Sequence, residues 1–443
     1  MIELQPPVER AILVGAQIKG PHGRPNGNGS GPAVLTRAQV MDEHLDELQQ
    51  LADTAGAVVV GRVTQQLDRP NPATYLGKGK IEELGRVISD TNATVVIFDD
   101  ELTPAQGKNI EDATGQRVID RAELILDIFA TRARSSEARM QVELAQLQYM
   151  LPRLTRMWTH LEKFRGGIGV RGPGETQLET DRRLISSRIR VLRQRLEDVQ
   201  KSREVQRTSR RGEFRASLVG YTNAGKSSVL RVLSGADSVF VEDRLFATLD
   251  ALTREIRLDD ANSILLTDTV GFIRKLPHHL VASFRATLEE VGEADLLLHV
   301  IDLSHPVWSE QRVVVESVLV DIGASGKPVL NVFNKIDRLP EEDLFALQTG
   351  IRDQIPDSVF VSATAAGGLE PLRRALLSAR RNRLPITEIR VPVTAGKLLA
   401  EIHRDSEVLD QVHDGDELIL HARMDASVAG RLRKAGAAVG NSR

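Results

Sequence analysis

Hydrophobic and polar positions follow two alternating patterns along residues 9–134. Short apolar runs rich in β-branched residues, such as AILVGA, AVVVGRV, TVVIFDD and RVID, are typical of buried strands. Between them lie segments with helical spacing: TRAQVMDEHLDELQQLADTAG, GKGKIEELGRVISD and TPAQGKNIEDAT. Because strands that alternate with helices form parallel sheets, the pattern predicts an N-terminal parallel-sheet α/β domain over residues 1–134. A stretch rich in Gly, Pro and Asn at about 20–32 is predicted to be a flexible insert.

From Ser135 the pattern changes to that of two long helices, which predict a basic helical hairpin arm over residues 135–211. The first segment, SSEARMQVELAQLQYMLPRLTRMWTHLEKFR, has an expected break at Pro152. The second, TDRRLISSRIRVLRQRLEDVQKSREVQRTSRR, is rich in arginine and has one narrow apolar stripe, formed by Leu184, Ile185, Ile189, Leu192, Leu196 and Val199. Such a stripe suits two antiparallel helices packed together. The glycine-rich stretch GGIGVRGPGETQLE would join them at the tip.

Strand and helix patterns alternate again over residues 212–383 and predict a second α/β domain. Over residues 384–443 the order strand, helix, strand, strand, helix predicts a small C-terminal α+β domain, with HDGDE as its hairpin turn. The predicted fold class is therefore α/β and multidomain, with a helical hairpin between the two larger domains.

Composition restricts the class of protein. Charged residues make up 27% and apolar residues 41% of the 443 residues, as in soluble globular proteins, and no apolar run is long enough to span a bilayer. The absence of cysteine excludes disulfides and thiol catalysis within these residues. No signal-like segment stands at the N-terminus. We expect a cytoplasmic monomer, with peripheral membrane association left open.

Charge is distributed unevenly along the chain. The net charge is −3, but residues 153–215 hold 17 Lys and Arg against 8 Asp and Glu, a local +9 that leaves −12 elsewhere. This asymmetry favours contact with a polyanion such as nucleic acid, and the alternative is a solvated helical surface. The bare backbone of the glycine-rich tip could approach RNA closely. The candidate RNA contacts are Arg165, Arg171, Arg182 and Arg183.

A phosphate-binding motif opens the second α/β domain. GYTNAGKS, residues 220–227, fits Gly-x4-Gly-Lys-Ser between the strand RASLV and the helix SSVLRVL. In that setting, backbone N–H groups and the helix N-terminus surround phosphate oxygens. Lys226 is predicted to contact the β- and γ-phosphates, and the Ser227 hydroxyl is predicted to bind Mg²⁺.

Further motifs follow in the order that a GTP-binding domain requires. LFATLD places Thr248 where a switch hydroxyl completes the Mg²⁺ shell, and ILLTDTVGF contains Asp268, which can hold the metal through a water. The Gly271 N–H is predicted to face the γ-phosphate. Lys226, Thr248 and Gly271 are therefore the candidate catalytic groups, and Ser227, Thr248 and Asp268 are the candidate metal ligands.

Base recognition is predicted from NKID, residues 334–337. The Asp337 carboxylate can accept hydrogen bonds from guanine N1–H and the exocyclic amine, which adenine does not offer there. VFVSATAAGGL places Ser362 and Ala363 where a backbone N–H would meet guanine O6. The chain is thus predicted to bind GTP or GDP with Mg²⁺. The candidate nucleotide-binding residues are Gly220, Tyr221, Thr222, Asn223, Ala224, Gly225, Lys226, Ser227, Ser228, Phe246, Ala247, Thr248, Leu249, Asp250, Asp268, Thr269, Val270, Gly271, Asn334, Lys335, Ile336, Asp337, Ser362, Ala363 and Thr364.

These motifs, together with YLGKGKIEEL and GGIGVRGPGETQLETDRR, resemble those of the HflX family, ribosome-associated P-loop GTPases of the Obg-HflX group. The resemblance runs from about residue 36 to the end of the P-loop domain. It implies GTP hydrolysis, binding to the large ribosomal subunit with the arm near ribosomal RNA of the peptidyl-transferase region, and dissociation of stalled ribosomes. It also implies links to heat stress and antibiotic tolerance.

Phe272 follows the DTVG motif directly, where many GTPases carry a Gln that positions the attacking water. A phenyl ring can neither polarise nor orient a water. The resemblance implies that hydrolysis is slow in the free protein and that the ribosome supplies the missing catalytic geometry.

Two other functions remain open. YLGKGKIEEL could be a second phosphate loop, although no Ser or Thr follows either Gly-Lys pair, and a basic helix N-terminus is the favoured interpretation. If the segment binds ATP, the protein is an RNA-remodelling factor with an ATP-using N-terminal domain and a regulatory G domain. A third alternative is a regulatory switch that binds a protein effector.

Overall fold

The structure is a computed structural model that describes residues 8–18, 37–154, 173–208, 213–235, 245–260, 262–276, 290–424 and 426–440. The predicted insert at about 20–32 lies outside the described residues, as do Arg165, Arg171 and the first half of the predicted tip of the arm, residues 166–172.

The N-terminal sheet has four parallel strands in the order β2-β1-β3-β4. Its strands are β1 Arg10–Ile18, β2 Val58–Leu67, β3 Val95–Phe98 and β4 Arg117–Asp120. Its helices are α1 Arg37–Ala55, α2 Lys78–Thr91, α3 Pro104–Thr114 and α4 Arg121–Arg132. The strands and the first three helices coincide with the predicted segments. Helix α4 is not among the predicted segments. It begins directly after β4, and at its start the Asp120 carboxylate accepts the Glu123 N–H at 2.9 Å.

Two helices form the described part of the arm: α5 Ser136–Met150 and α6 Pro173–Thr208. Helix α6 begins seven residues before the predicted Thr180, so residues 173–179 are helical and the prediction that they belong to the tip loop is wrong. Helix α5 ends two residues before Pro152, as the predicted break requires. The helices pack through a small apolar core that includes Leu144, Ile189 and Leu192. One residue of the predicted stripe is wrong: Leu184 is 62% exposed. It stands five positions before Ile189, about 140° around the helix, and so points away from α5.

The second α/β domain contains a six-stranded sheet in the order β10-β9-β8-β5-β7-β6. Strand β6 is antiparallel to β7, and the other pairs are parallel. The strands are β5 Arg215–Gly220, β6 Leu252–Arg257, β7 Ser263–Asp268, β8 Leu296–Asp302, β9 Val329–Asn334 and β10 Ser358–Phe360. The helices are α7 Lys226–Ser234, α8 Trp308–Asp321, α9 Glu341–Gln354 and α10 Glu370–Arg383, with a 3₁₀ turn at Ile336–Arg338.

The C-terminal sheet is antiparallel, in the order β12-β13-β11-β14. Its elements are β11 Ile386–Pro392, α11 Gly396–Asp405, β12 Glu407–Asp414, β13 Glu417–Arg423, α12 Ala426–Lys434 and β14 Ala438–Val439. Gly415 and Asp416 form the two-residue turn between β12 and β13, as HDGDE predicts. The three sheets lie within the predicted domains, and the domain boundaries themselves stay predictions.

A single hydrophobic cluster joins the N-terminal domain, the arm and the P-loop domain. It contains Leu45 of α1, Val142 of α5 and, from the P-loop domain, Phe246 and Phe272. The Phe129 and Phe246 rings meet edge to face with centroids 4.7 Å apart. The nucleotide-binding motifs are therefore packed directly against the N-terminal domain. Among the described helices, none combines the length and the apolar character that crossing a membrane demands.

Candidate nucleotide-binding site

The phosphate-binding motif forms the turn between β5 and α7, at the carboxyl end of a central strand. Two glycines are required there by geometry. Gly220 has φ +151° and a Cβ would lie 2.2 Å from the Val300 carbonyl oxygen, whereas Gly225 has φ +97° and a Cβ would lie 2.3 Å from Asn334 Nδ2. The loop therefore passes closer to β8 and β9 than any side chain allows.

Lys226, the first residue of α7, is 6% exposed. Its ammonium donates to the carbonyl oxygens of Tyr221, at 2.8 Å, and Gly220, at 3.1 Å. Burial lowers its pKa to about 8, although nearby Asp268 acts in the opposite direction. A buried ammonium held mainly by carbonyl oxygens is suited to gain stronger partners from phosphate.

The three candidate metal ligands lie together. Ser227 Oγ is 2.6 Å from Asp268 Oδ2 and 2.9 Å from Thr248 Oγ1. Asp268 is 1% exposed, and its second oxygen, Oδ1, is buried with no hydrogen-bond partner among the described residues. Burial raises the pKa of Asp268 in spite of Lys226. Two hydroxyls and a carboxylate with a free oxygen are the hard oxygen donors that Mg²⁺ prefers, so these residues fit the ion.

Phe272, the residue after Gly271, is bound to the phosphate loop through its backbone. The Phe272 carbonyl accepts the Thr222 N–H at 2.7 Å, and its N–H donates to the Gly220 carbonyl at 3.1 Å. The Phe272 ring is 1% exposed within the cluster shared with the N-terminal domain. A Cβ on Gly271 would lie 2.9 Å from Thr222 Cα and 3.0 Å from Lys226 Nζ. Only glycine lets this backbone approach the phosphate side of the pocket so closely.

The other end of the site is held together by Asn334 and Lys335. Asn334 Nδ2 donates to the Ala224 carbonyl at 3.0 Å, and Lys335 Nζ donates to the Asn223 carbonyl at 2.7 Å. Lys335 also pairs with Asp302 at 2.7 Å. These residues therefore tie the strand ends to the phosphate loop, which their spacing alone did not reveal.

Asp337 lies exposed at the rim, with its carboxylate accepting a hydrogen bond from Thr364 Oγ1 at 3.1 Å. A hydrogen bond from Ser362 is the main cause that lowers its pKa. One predicted contact differs: the Ala363 N–H donates to Asn334 Oδ1 at 3.2 Å rather than pointing freely into the pocket. The carboxylate is thus available to a base, whereas the Ala363 N–H would have to be shared with it.

The motifs together enclose a cavity of about 310 Å³. The predicted residues that line it are Thr222, Asn223, Gly225, Lys226, Ser227, Ser228, Phe246, Ala247, Thr248, Thr269, Gly271, Asn334, Lys335, Asp337, Ala363 and Thr364. The lining also includes Arg231 and Arg338, which sequence reasoning missed because neither belongs to a motif. Both guanidiniums add positive charge to a cavity expected to hold phosphates.

Several predicted contacts do not line the cavity: Gly220, Tyr221, Ala224, Leu249, Asp250, Asp268, Val270, Ile336 and Ser362. Asp268 lies just behind it beside Ser227. Leu249 and Val270 pack in the cluster shared with the N-terminal domain. The Asp250 carboxylate accepts hydrogen bonds from the Arg134 and Ser135 N–H groups and from the Ser135 hydroxyl. Leu249, Val270 and Asp250 therefore contact neighbouring parts of the protein and not the ligand.

A group of charged residues, the interdomain ion cluster, lies behind Phe272 and consists of Glu47, Asp99, Arg121, Arg274 and Lys275. Arg121 is 2% exposed, pairs with Asp99 at 2.8 Å and also pairs with Glu47. Arg274 and Lys275 reach the same Asp99 carboxylate at 3.0 and 2.8 Å. Burial alone would raise the pKa of Asp99, but the three cations hold it well below its usual range.

Tyr221 connects this cluster to the phosphate loop. Its hydroxyl donates to Glu47 and accepts the Arg274 N–H at 2.8 Å. Burial and the neighbouring Glu47 carboxylate raise the pKa of Tyr221, so the phenol stays a donor. One side chain of the phosphate loop thus binds both the N-terminal domain and the segment after Gly271.

The segment YLGKGKIEEL forms the start of α2. The Gly77 N–H is already used, donating to Gln65 Oε1 at 3.0 Å, and the Gly77 carbonyl accepts the Lys80 and Ile81 N–H groups. Tyr75 and Leu76 are buried in the N-terminal core. These contacts favour the helix-start interpretation over a second phosphate loop.

Models of known protein families match most of the chain. A family model described as GTP-binding GTPase N-terminal matches residues 42–130, one described as GTP-binding GTPase Middle Region matches residues 132–210, and one described as 50S ribosome-binding GTPase matches residues 215–335.

Curated relatives are similar over nearly the whole length. GTPase HflX of Caldanaerobacter subterraneus subsp. tengcongensis is 45% identical, with 88% of this chain and 90% of the relative covered. GTPase HflX of Escherichia coli K12 is 45% identical over 82% of this chain and 85% of the relative. The chain belongs to the HflX family of GTPases. The family resemblance expected from the motifs is confirmed, and the chain is a GTPase.

Solved structures give a looser match. A complex of SsGBP with GDP is 26% identical and covers 84% of this chain and 98% of its own, with a TM-score of 0.47. A structure of Era with MgGDPNP and part of 16S ribosomal RNA is 25% identical over 38% of this chain and 57% of its own, with a TM-score of 0.32. Membership of the HflX family rests on the sequence matches.

Proposed function

We propose that this HflX-family GTPase binds the large ribosomal subunit in its GTP form, places the arm near ribosomal RNA of the peptidyl-transferase region and dissociates stalled ribosomes. One observation carries the proposal: the Asp250 carboxylate, two residues after Thr248, accepts hydrogen bonds from Arg134 and Ser135 at the start of the arm. A conformational change at Thr248 would therefore be transmitted through Asp250 to the start of the basic arm.

The charge on the arm supports an RNA partner. Arg182 and Arg183 are exposed on α6, and so are Arg190, Arg193 and Arg195 further along the helix. Exposed arginines in a row can contact successive phosphates and release counterions. The match to a family described as 50S ribosome-binding GTPase supports the large subunit as the polyanion.

Hydrolysis is proposed to use the pocket as follows. Ser227, Thr248 and Asp268 would hold Mg²⁺, which neutralises phosphate charge. Lys226 would leave its two carbonyl partners for the β- and γ-phosphates, and the Gly271 N–H would face the γ-phosphate. Asp337 would select guanine. Because the Phe272 ring is buried in the domain interface, it cannot orient water, and turnover should be slow until the ribosome binds.

Sedimentation with purified ribosomes tests the proposal. The full chain should pellet with large subunits in the presence of a non-hydrolysable GTP analogue, pellet less with GDP, and shift intact ribosomes towards separate subunits. Equal pelleting with both nucleotides, or none, would exclude GTP-dependent ribosome binding.

The arm can be tested separately by replacing Arg165, Arg171, Arg182 and Arg183 with Ala. GTP binding should persist, while the slope of log affinity for ribosomes against log salt should fall by up to about 4, at roughly 0.9 per lost phosphate contact. The matched control replaces four exposed arginines outside the arm: Arg374, Arg390, Arg404 and Arg433. An unchanged slope in the arm variant would mean that these arginines are only a solvated face.

A further inference from the structure

We propose that Thr222 is a catalytic residue of this GTPase: its hydroxyl orients the water that attacks the γ-phosphorus, the task that Phe272 cannot perform. The inference rests on the GTP site proposed above and adds a residue role to it. In the step, a bond forms between the water oxygen and the γ-phosphorus and the bond from the γ-phosphorus to the bridging oxygen breaks. Its electron pair leaves with GDP, and the proton of the water ends on phosphate or solvent.

The first observation is the state of the hydroxyl itself. Thr222 is 6% exposed and lines the nucleotide cavity, yet its Oγ1 is buried without a hydrogen-bond partner among the described residues. Buried hydroxyls are normally paired, because leaving one unpaired costs its hydration. Thr269, another buried threonine of this site, does pair, donating to the Leu218 carbonyl at 2.6 Å. The Thr222 hydroxyl is therefore placed for a partner that arrives with the substrate.

The second observation is the position of Thr222 at the phosphate end of the cavity. A Cβ built on Gly271 would lie 2.9 Å from Thr222 Cγ2 and 3.0 Å from Lys226 Nζ. The methyl carbon of Thr222 thus lies beside both groups that are proposed to hold the γ-phosphate, and the hydroxyl is attached to the same Cβ. The base end, marked by Asp337, is built by other elements.

The third observation is that the backbone of Thr222 is fixed. Its N–H donates to the Phe272 carbonyl at 2.7 Å, and the Phe272 ring is buried in the cluster shared with the N-terminal domain. A group that orients water must be held within a fraction of an ångström. Phe272 would therefore act through its backbone, holding the residue that carries the hydroxyl.

Two other hydroxyls at the phosphate end, those of the candidate metal ligands Ser227 and Thr248, have partners among the described residues. Ser227 and Thr248 pair with each other, and Ser227 also pairs with Asp268. A threonine hydroxyl can accept a hydrogen bond from water while donating one to a γ-phosphate oxygen. Thr222 is thus chemically able to connect the two reacting groups.

Two substitutions distinguish a catalytic role of the Thr222 hydroxyl from a purely steric role of the side chain. Thr222→Val keeps the branched side chain that packs near Gly271 and removes the hydroxyl. Thr222→Ser keeps the hydroxyl and removes the methyl group. If the hydroxyl acts on the water, only the valine variant should lose rate.

The experiment is single-turnover GTP hydrolysis by the full-length chain, with and without ribosomes, together with GDP titration. We expect Thr222→Val to slow hydrolysis by about 10- to 100-fold while GDP affinity stays within roughly twofold. Thr222→Ser should retain most of the rate. A normal rate in Thr222→Val, equal losses in both variants, or loss of GDP binding by Thr222→Val would each overturn the inference. A wild-type chain that does not turn over GTP would instead remove the proposed function together with this role.

Discussion

The nucleotide-binding site and the interdomain ion cluster both bury charged side chains, but they differ in whether those charges have partners of opposite sign. Asp99 in the cluster and Asp268, which lies just behind the cavity beside Ser227, are each at most 2% exposed. Three cations lower the pKa of Asp99, whereas burial raises the pKa of Asp268, which has one oxygen without a partner. In the cluster, Arg121 pairs with two carboxylates, and Arg274 Nη1 is the one buried cluster atom left without a described partner.

The difference shows what each region is built to do. Buried ions that already have opposite charges hold two parts of a fold in one arrangement, and breaking them is costly. Buried ions that lack such partners cost free energy until a ligand supplies them, about 1–3 kcal/mol for each unpaired group. The cluster therefore stabilises the contact between domains, and the cavity gains stability from what it binds.

We expect the largest effect from Lys226→Ala, which tests the cavity side of this comparison. Removing the buried ammonium from the cavity should abolish productive GTP and GDP binding, because the phosphates would lose their strongest partner. The free energy of unfolding should change little, since the ammonium contacts mainly carbonyl oxygens. Fluorescent-nucleotide titration and urea denaturation measure the two quantities, with exposed Lys397→Ala as the control. Full GTP turnover by Lys226→Ala would place the active site elsewhere.

A second test concerns the base end of the cavity. Asp337→Asn should reduce the preference for guanine over adenine nucleotides by roughly 1000-fold, because an amide cannot accept both donors of guanine. Xanthine nucleotides, which offer an acceptor at that position, should bind better than before. Competition titrations measure the preference, with Asp343→Asn on α9 as the control. Unchanged exclusion of adenine and xanthine nucleotides would show that NKID does not select the base.

Arg121→Met in the ion cluster should have the opposite effect to Lys226→Ala: it should lower stability more than nucleotide affinity. Glu47 and Asp99 would lose their shared partner, lowering the free energy of unfolding by about 3 kcal/mol. Nucleotide affinity should fall far less than in Lys226→Ala. Arg188→Met is the matched control, because Arg188 pairs with Glu143 on the exposed surface of the arm and such pairs contribute little. If both arginine variants had the same stability as the wild type, the cluster would not hold the domains together.

The sequence predicted the order of strands and helices well, because apolar periodicity and turn residues act locally. Four of the five motifs of the cavity come together because each follows a strand whose carboxyl end lies at the same edge of the sheet. The fifth, LFATLD with Thr248, instead precedes the antiparallel strand β6. The ion cluster could not be predicted: Glu47, Asp99 and Arg274 are far apart in sequence and belong to no motif. Spacing also could not show that Asp250 faces the arm, because that contact depends on how the domains pack. Nor could it show that Asn334 accepts the Ala363 N–H, because that contact depends on how two motifs of the P-loop domain meet in space.

His299 sharpens the comparison, because it is buried and unpaired yet does not line the cavity. It is 0% exposed on β8, and neither ring nitrogen has a partner among the described residues. Burial, followed by the charges of Arg312 and Lys226, lowers its pKa to about 3. The folded chain therefore keeps His299 neutral, while the unfolded chain protonates it below about pH 6.5, so stability is lost as pH falls. Between pH 7.5 and pH 5, this residue should cost about 2 kcal/mol.

His299→Leu should remove that part of the pH dependence in urea denaturation, while exposed His413→Leu should leave it unchanged. Some dependence should remain in His299→Leu, because burial and Arg274 also lower the pKa of His44, to about 4. Nucleotide affinity should be the same in both variants at pH 7.5. Equal loss of stability in wild type and His299→Leu on acidification would mean that His299 is protonated in the folded chain. His299 would then have gained a partner for its charge, and it would no longer be an example of an unpaired buried group outside the cavity.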